Sequence, residues 1–170
     1  MDTDLEQQPL TLRPMALADL SRVHQIDVLS FSVPWSERSF RFELTENKNA
    51  SVWVAELAMP DGKKEIVGMI VMWVILDEAH VATIAVHPDY RGRGIGQRLL
   101  ARGLLAVYQR GARMAFLEVR RSNLVAQQMY KKFGFRVDGK RLRYYRDNNE
   151  DALLMKLDTI EPEELHALLA

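Results

Sequence analysis

The chain of 170 residues contains no cysteine. That one absence excludes disulfides, thiolate metal sites and a cysteine nucleophile together. No apolar run reaches membrane-spanning length; the longest, residues 66–76, is too short. The opening stretch, Met1 to Gln8, is acidic and polar and does not read as a signal peptide. Repeats, linkers and low-complexity tracts are missing as well. The four histidines, His24, His80, His87 and His166, lack metal-ligand spacing, and no metal is expected. These absences make a cytoplasmic location without a membrane partner the default expectation.

What remains is an ordinary globular composition, 48% hydrophobic and 27% charged. The length suits one domain. The net charge is zero but unevenly spread. Residues 91–146 hold 15 Lys and Arg against two acids, Glu118 and Asp138. Solvated helix faces and internal ion pairs are a strong explanation for such a bias. A functional explanation is a positive half that draws in a polyanionic ligand. The aromatic interleaving and basic motifs of nucleic-acid modules are missing, so no nucleic-acid partner is expected.

One stretch organises the chain, Thr83 to Leu100. It begins as an apolar strand, breaks at Pro88, passes through Gly92, Gly94 and Gly96, and runs into a helical segment. The first turn of that helix leaves N–H groups unpartnered, and with the dipole they form an anion site suited to phosphate. Arg91, Arg93 and Arg98 add positive charge. A Walker loop needs a lysine that does not follow these glycines. A dinucleotide fingerprint fails in both registers, meeting Gln97 or Leu99 where its third glycine should stand. The pattern present is Arg91-x-x-Gly94-x-Gly96 after Ile84-Ala85-Val86.

Along the chain, residues 10–13 read as a strand and 16–31 as a helix. Ser36 reads as the N-cap of a second helix over 39–44. Residues 51–57, 66–76 and 78–86 read as strands, with a turn at 60–63. A helix over about 94–110, a strand over 113–120 and a helix over 123–133 closed by Gly134 follow. Short strands at 135–137 and 152–157 and a weakly packed tail helix at 161–170 complete the reading. The division expected is a flexible tail at 1–9, one domain at 10–158 and a tail helix at 159–170. Mixed hairpin and β-α-β steps predict an α/β fold: a mixed, mostly antiparallel sheet of about seven strands with helices on both faces.

Two residues stand out for chemistry. Glu118 interrupts the apolar strand Phe116-Leu-Glu-Val-Arg120, where a buried carboxylate is costly unless paired. It is either bonded to Arg120 or Arg143 for structural reasons, or it is a functional group. Tyr130 lies on the helix after that strand. Met129 and Phe133 are expected to face the core while its hydroxyl turns towards the strand ends; a merely packed tyrosine is an equal alternative.

The loop Arg91-x-x-Gly94-x-Gly96 after a strand resembles the acetyl-CoA loop of the GNAT N-acetyltransferases, and the element order resembles that family's fold over nearly the whole chain. Leu117 to Phe135 resembles the LEVR-x-SN…Y…GF signature of the bacterial ribosomal-protein-alanine N-acetyltransferase branch. Pro34-Trp35-Ser36 through Phe40, and Arg143-Tyr144-Tyr145 with Glu150-Asp151-Ala152, resemble that branch's substrate-side segments. Arg146 stands where the branch commonly has proline, so the substrate side departs further from the pattern than the cofactor side.

The resemblance implies acetyl transfer from acetyl-CoA to an amine, with Glu118 as proton acceptor and Tyr130 as proton donor to the sulfur. It implies a strand contact to the pantetheine arm by Ile84, Ala85 and Val86. Arg91, Gly92, Arg93, Gly94, Ile95, Gly96 and Gln97 match the pyrophosphate loop, and Asn123 a further CoA contact. Trp35 and Tyr145 fall on the substrate side. The implied substrate is a protein N-terminus, that of a ribosomal protein. The chemistry agrees, because an α-amine with a pKa of about 7.8 is partly neutral near pH 7, whereas a lysine at about 10.4 is not. A lysine or small-amine acetyltransferase, or a non-catalytic acyl-CoA-binding module, are the alternatives. Retention of Glu118 and Tyr130 speaks against the last.

Overall fold

The computed structural model describes residues 9–170; the acidic stretch Met1–Gln8 lies outside them. Seven strands form one sheet: β1 (Leu10–Pro14), β2 (Ala50–Ala58), β3 (Lys64–Ile75), β4 (Glu78–Val86), β5 (Met114–Arg120), β6 (Arg136–Tyr145) and β7 (Glu150–Leu157). Their spatial order is β1-β2-β3-β4-β5-β7-β6. Only β4 and β5 run parallel; every other neighbouring pair is antiparallel. Five α-helices cover the sheet: α1 (Leu20–Ser30), α2 (Glu37–Thr45), α3 (Ile95–Gln109), α4 (Leu124–Lys132) and α5 (Pro162–Leu169). None of these helices is long and apolar enough to cross a membrane.

Side-chain alternation along β3 builds two cores. Ile70, Met72 and Val74 face α3, together with Leu99, Leu100, Leu104 and Leu105. Met69 and Val71 face the other way, onto Val23 and Ile26 of α1 and Phe40 of α2. Each fully buried aliphatic side chain of this kind contributes roughly 1.5–3 kcal/mol. The helix α3 can lie this close because Gly103 presents no side chain; a Cβ there would meet Met72 Sδ at 2.8 Å and Ile70 Cδ1 at 2.9 Å. Ser36 caps α2, its hydroxyl accepting from the Ser39 N–H at 3.1 Å.

Three expectations need correction. β6 extends to Tyr145 instead of stopping at 137. It is a mostly exposed, basic edge strand without an apolar alternation to betray it, and its pairing with β7 holds it extended. The C-terminal helix is not weakly packed: Leu165 and the preceding Ile160 are buried in the main core. The 16–31 helix begins as a 3-10 turn at Leu17–Asp19 and becomes α-helical at Leu20.

The feature that positions the site is a split in the sheet. β4 pairs with β5 only through Glu78–Met114, Ala79–Ala115 and His80–Phe116. Just beyond, the β3–β4 register skips Ala82, since Val71 faces Thr83 and Met72 faces Val81. An extra residue on one strand bends it and increases its twist. β4 therefore leaves β5, and the edge from Val81 to Val86 has no strand beside it on that side.

Candidate active site

The loop after β4 ends in an open helix terminus. Gly94 is the N-cap of α3 with φ 73°, a left-handed conformation that glycine adopts without strain. A Cβ placed there would meet nothing within 4 Å, so the space above the loop is open. Arg98 N–H bonds to Gly94 O, but the N–H groups of Gly92, Arg93, Gly94, Ile95, Gly96 and Gln97 have no acceptor among the described residues, and no acid sits in the first turn. This is the electrostatic and hydrogen-bonding profile of an anion site. Arg91 does not project its charge into it. Its guanidinium bonds back to Val86 O at 2.9 Å and Ser30 Oγ at 3.0 Å, tying the loop to the end of β4 and to α1. Arg93 reaches Asp89 O and lies 5.3 Å above the Tyr90 ring.

Glu118 lies on β5 just past the last rung shared with β4. Its side chain is 15% exposed, and its partner is neither Arg120 nor Arg143 as the sequence suggested. Oε2 sits 2.8 Å from His80 Nε2, and Oε1 is 3.8 Å from Arg141. The bond to His80 is the main reason the carboxyl is held below its ordinary range, against the opposing effect of burial. His80 in turn stacks on Trp73 at 5.7 Å, and Trp73 on Trp35 at 6.4 Å. Trp73 Nε1 donates to Glu43 Oε2 at 2.9 Å. The Trp35 N–H donates to the buried Asp27 carboxylate at 2.6 Å, and burial pushes that carboxyl's pKa up. Beside this ladder opens a cavity of about 390 Å³ bounded by Trp73, His80, Glu118, Arg141 and Leu154.

The ring of Tyr130 belongs to the core, the packed alternative that the sequence left open, and Met129 and Phe133 pack against the same core as expected. It is 5% exposed and leans on Phe135 at 5.8 Å. Met129 and Phe133 are only partly buried, and Met129 Sδ approaches Gly96. Burial raises the Tyr130 phenol above its usual pKa, with a further push from Tyr145. Tyr145 is itself pushed up to about 12, first by burial, with Glu118 adding to the effect. Asn123 caps α4, its Oδ1 accepting from Ala126 N–H at 3.2 Å. The structure thus gathers Glu118, Tyr130 and Tyr145 into one neighbourhood, connects Trp35 to it through Trp73 and His80, and leaves the glycine loop as a separate, open end.

Sequence reasoning missed His80, Trp73 and Arg120. His80 read as one of four scattered histidines, and nothing local marks its contact with a residue 38 positions on. Arg120 pairs with Asp147 and Glu150 and bonds Ser32 Oγ, joining β5, the β6–β7 turn and the α1–α2 connection. Glu150 is held at about 2, chiefly by its bond from Ser122.

An anion-binding helix terminus at the end of a split strand, with a paired carboxylate and a buried phenol in the same neighbourhood, is the layout of an acyl-transfer site. The acetyltransferase (GNAT) family profile matches residues 20–135. The chain belongs to that family. Among particular proteins, it is 41% identical over 144 residues to a Bacillus subtilis (strain 168) protein with a provisional ribosomal protein bS18-alanine N-acetyltransferase name, covering 85% of this chain and 92% of that one. It is 32% identical over 158 residues to the [ribosomal protein bS18]-alanine N-acetyltransferase of Escherichia coli (strain K12), covering 86% and 96%. The crystal structure of the ribosomal-protein-S18-alanine N-acetyltransferase from Escherichia coli superposes with a TM-score of 0.77 at 30% identity, over 90% of this chain and 95% of that one.

Proposed function

We propose that the chain is a protein N-terminal acetyltransferase that moves an acetyl group from acetyl-CoA to the α-amine of an N-terminal alanine on the ribosomal protein bS18, acting in the cytoplasm. The observation that supports this most is the name shared by relatives that are 32–41% identical over 85–86% of the chain. The geometry suits it as well. The free N–H groups of Gly92 to Gln97 would hold the pyrophosphate, with Asn123 as a further contact. The bare edge Ile84-Ala85-Val86 would take the amides of the pantetheine arm, leading the thioester towards Glu118. Trp35 and Tyr145 would flank the peptide.

The reaction follows from these groups. The ammonium first pairs with Glu118 and gives up a proton towards it, directly or through water. The nitrogen lone pair attacks the thioester carbon, the C–S bond breaks, and Tyr130 protonates the departing sulfur. Nitrogen loses two protons in all: one balances that given by Tyr130, and one is released to solvent. No covalent acyl-enzyme is needed, and the chain has no cysteine to form one. The test is mass spectrometry of Ala-, Ser- and Met-initiated peptides after incubation with acetyl-CoA. Acetylation confined to the α-amine of the Ala peptide supports the reading; modification of lysine alone, or of nothing, overturns it.

A further inference from the structure

Resting on that acetyl-transfer reading, we propose that His80 is the positioning residue of Glu118: its Nε2 holds one carboxylate oxygen so that the other stays turned towards the incoming amine. The geometry carries this. Oε2 is engaged by Nε2 at 2.8 Å, while Oε1 has only Arg141, at 3.8 Å. At that spacing a proton lies between imidazole and carboxylate, so Nε2 is the donor and the free edge of the ring is Nδ1.

The ring cannot swing. Trp73 stacks against it within 22° of parallel, and Trp73 is fixed by Glu43 and by Trp35. β4 and β5 still share a rung at His80–Phe116, so His80 stands on the last rigid position before the split, two residues short of the Ala82 bulge. Glu118 is on the diverging side. The contact therefore braces the carboxylate against the part of the sheet where β4 and β5 are paired.

The side chain of His80 is 33% exposed. The charged and titratable groups facing the pair are Glu78 on its own strand, Asp138, Arg141 and Tyr145 from β6, and Glu43 from α2 through Trp73. The Glu118 carboxylate attracts the ammonium, and the contact to His80 fixes where that charge stands.

The experiment uses the full chain with acetyl-CoA and a short Ala-initiated peptide. His80→Gln keeps a donor near the Nε2 position; His80→Phe keeps the stacking but removes the donor. His80→Phe should lower kcat by on the order of 10²-fold, as a misplaced reacting group does, with the KM for acetyl-CoA within about twofold. His80→Gln, which restores a donor, should keep most of the activity that His80→Phe loses. Wild-type kcat in both His80 variants would overturn the positioning role while leaving the acetyltransferase intact, as would an equal loss in both, which would assign the effect to the stacked ring and not to its donor. A wild type that acetylates no peptide overturns the enzymatic reading itself, and this role with it.

Discussion

Arg120 lies over the ring of Tyr145 with its guanidinium carbon 3.9 Å from the centroid. The same guanidinium pairs with Asp147 at 2.9 Å and Glu150 at 3.3 Å, and reaches Ser32 Oγ. One cation thus gathers the two segments, around Trp35 and Tyr145, proposed to flank the peptide. Arg120→Met should leave CoA affinity unchanged and raise the KM for the Ala-initiated peptide about tenfold, equivalent to a loss of about 1.4 kcal/mol in binding. Asp147 and Glu150 both have carboxyls held below their ordinary range. A depressed carboxyl favours the closed, folded arrangement above its ordinary pKa of about 4 and loses that preference as pH falls through the folded value. The KM difference should therefore persist across pH 5–9 and narrow only on strong acidification. Equal peptide KM values for wild type and variant at neutral pH would contradict the account.

Gly94 separates charge from backbone effects. Gly94→Asp places a carboxylate where the pyrophosphate should sit, and Gly94→Asn is nearly isosteric and also tolerates the left-handed conformation. Calorimetry with CoA should find binding abolished by Asp and only weakened by Asn. Unchanged affinity in a folded Gly94→Asp protein would remove the pyrophosphate from this loop.

Tyr130→Phe keeps the ring that packs on Phe135 and deletes only the hydroxyl, which has no hydrogen bond to another described residue. Its melting temperature should change little. Turnover should fall about 10²–10⁴-fold, the usual contribution of a general acid, while acetyl-CoA binding is retained. A rate within about twofold of wild type across pH 6–9 would mean that the sulfur takes its proton from water.

Glu118→Gln preserves size and a hydrogen-bonding end but removes charge and basicity. kcat should fall steeply at pH 7 with little change in acetyl-CoA affinity, and recover in part at pH 9, where the α-amine is neutral unaided. If Glu118 served only to hold His80 in place, the variant would melt earlier and keep the wild-type rate profile. Rate against pH, beside a melting curve, decides between them.

The parts of the site legible in the sequence are those whose chemistry is local. The glycine loop declares itself because its strand, turn and helix are contiguous, and the Ser36 cap because it acts three residues away. Glu118 was visible as an anomaly, since a carboxylate in an apolar strand needs a partner; which partner depended on strand order. β4 and β5 are joined through a 15-residue helix, and no local pattern says that His80 and Glu118 end on facing positions. Tyr130 stayed open between two readings for a related reason. Met129, Tyr130 and Phe133 all fit a buried helical face, and only the docking angle of α4 chooses the tyrosine. The bulge at Ala82, which opens the site, leaves no compositional trace at all.

The split between β4 and β5 has a consequence for the molecule as a mechanical object. Strands β1–β4 and β5–β7 are two half-sheets that share a seam only three rungs long, with α3 leading along the chain from one half to the other. A closed sheet would spend the backbone groups of Val81 to Val86 on a neighbouring strand. Here the groups that point away from β3 have no strand to pair with, and Val86 O accepts from Arg91. A ligand with amides along an extended arm would become a temporary eighth strand there, so that loading the site would also join the halves.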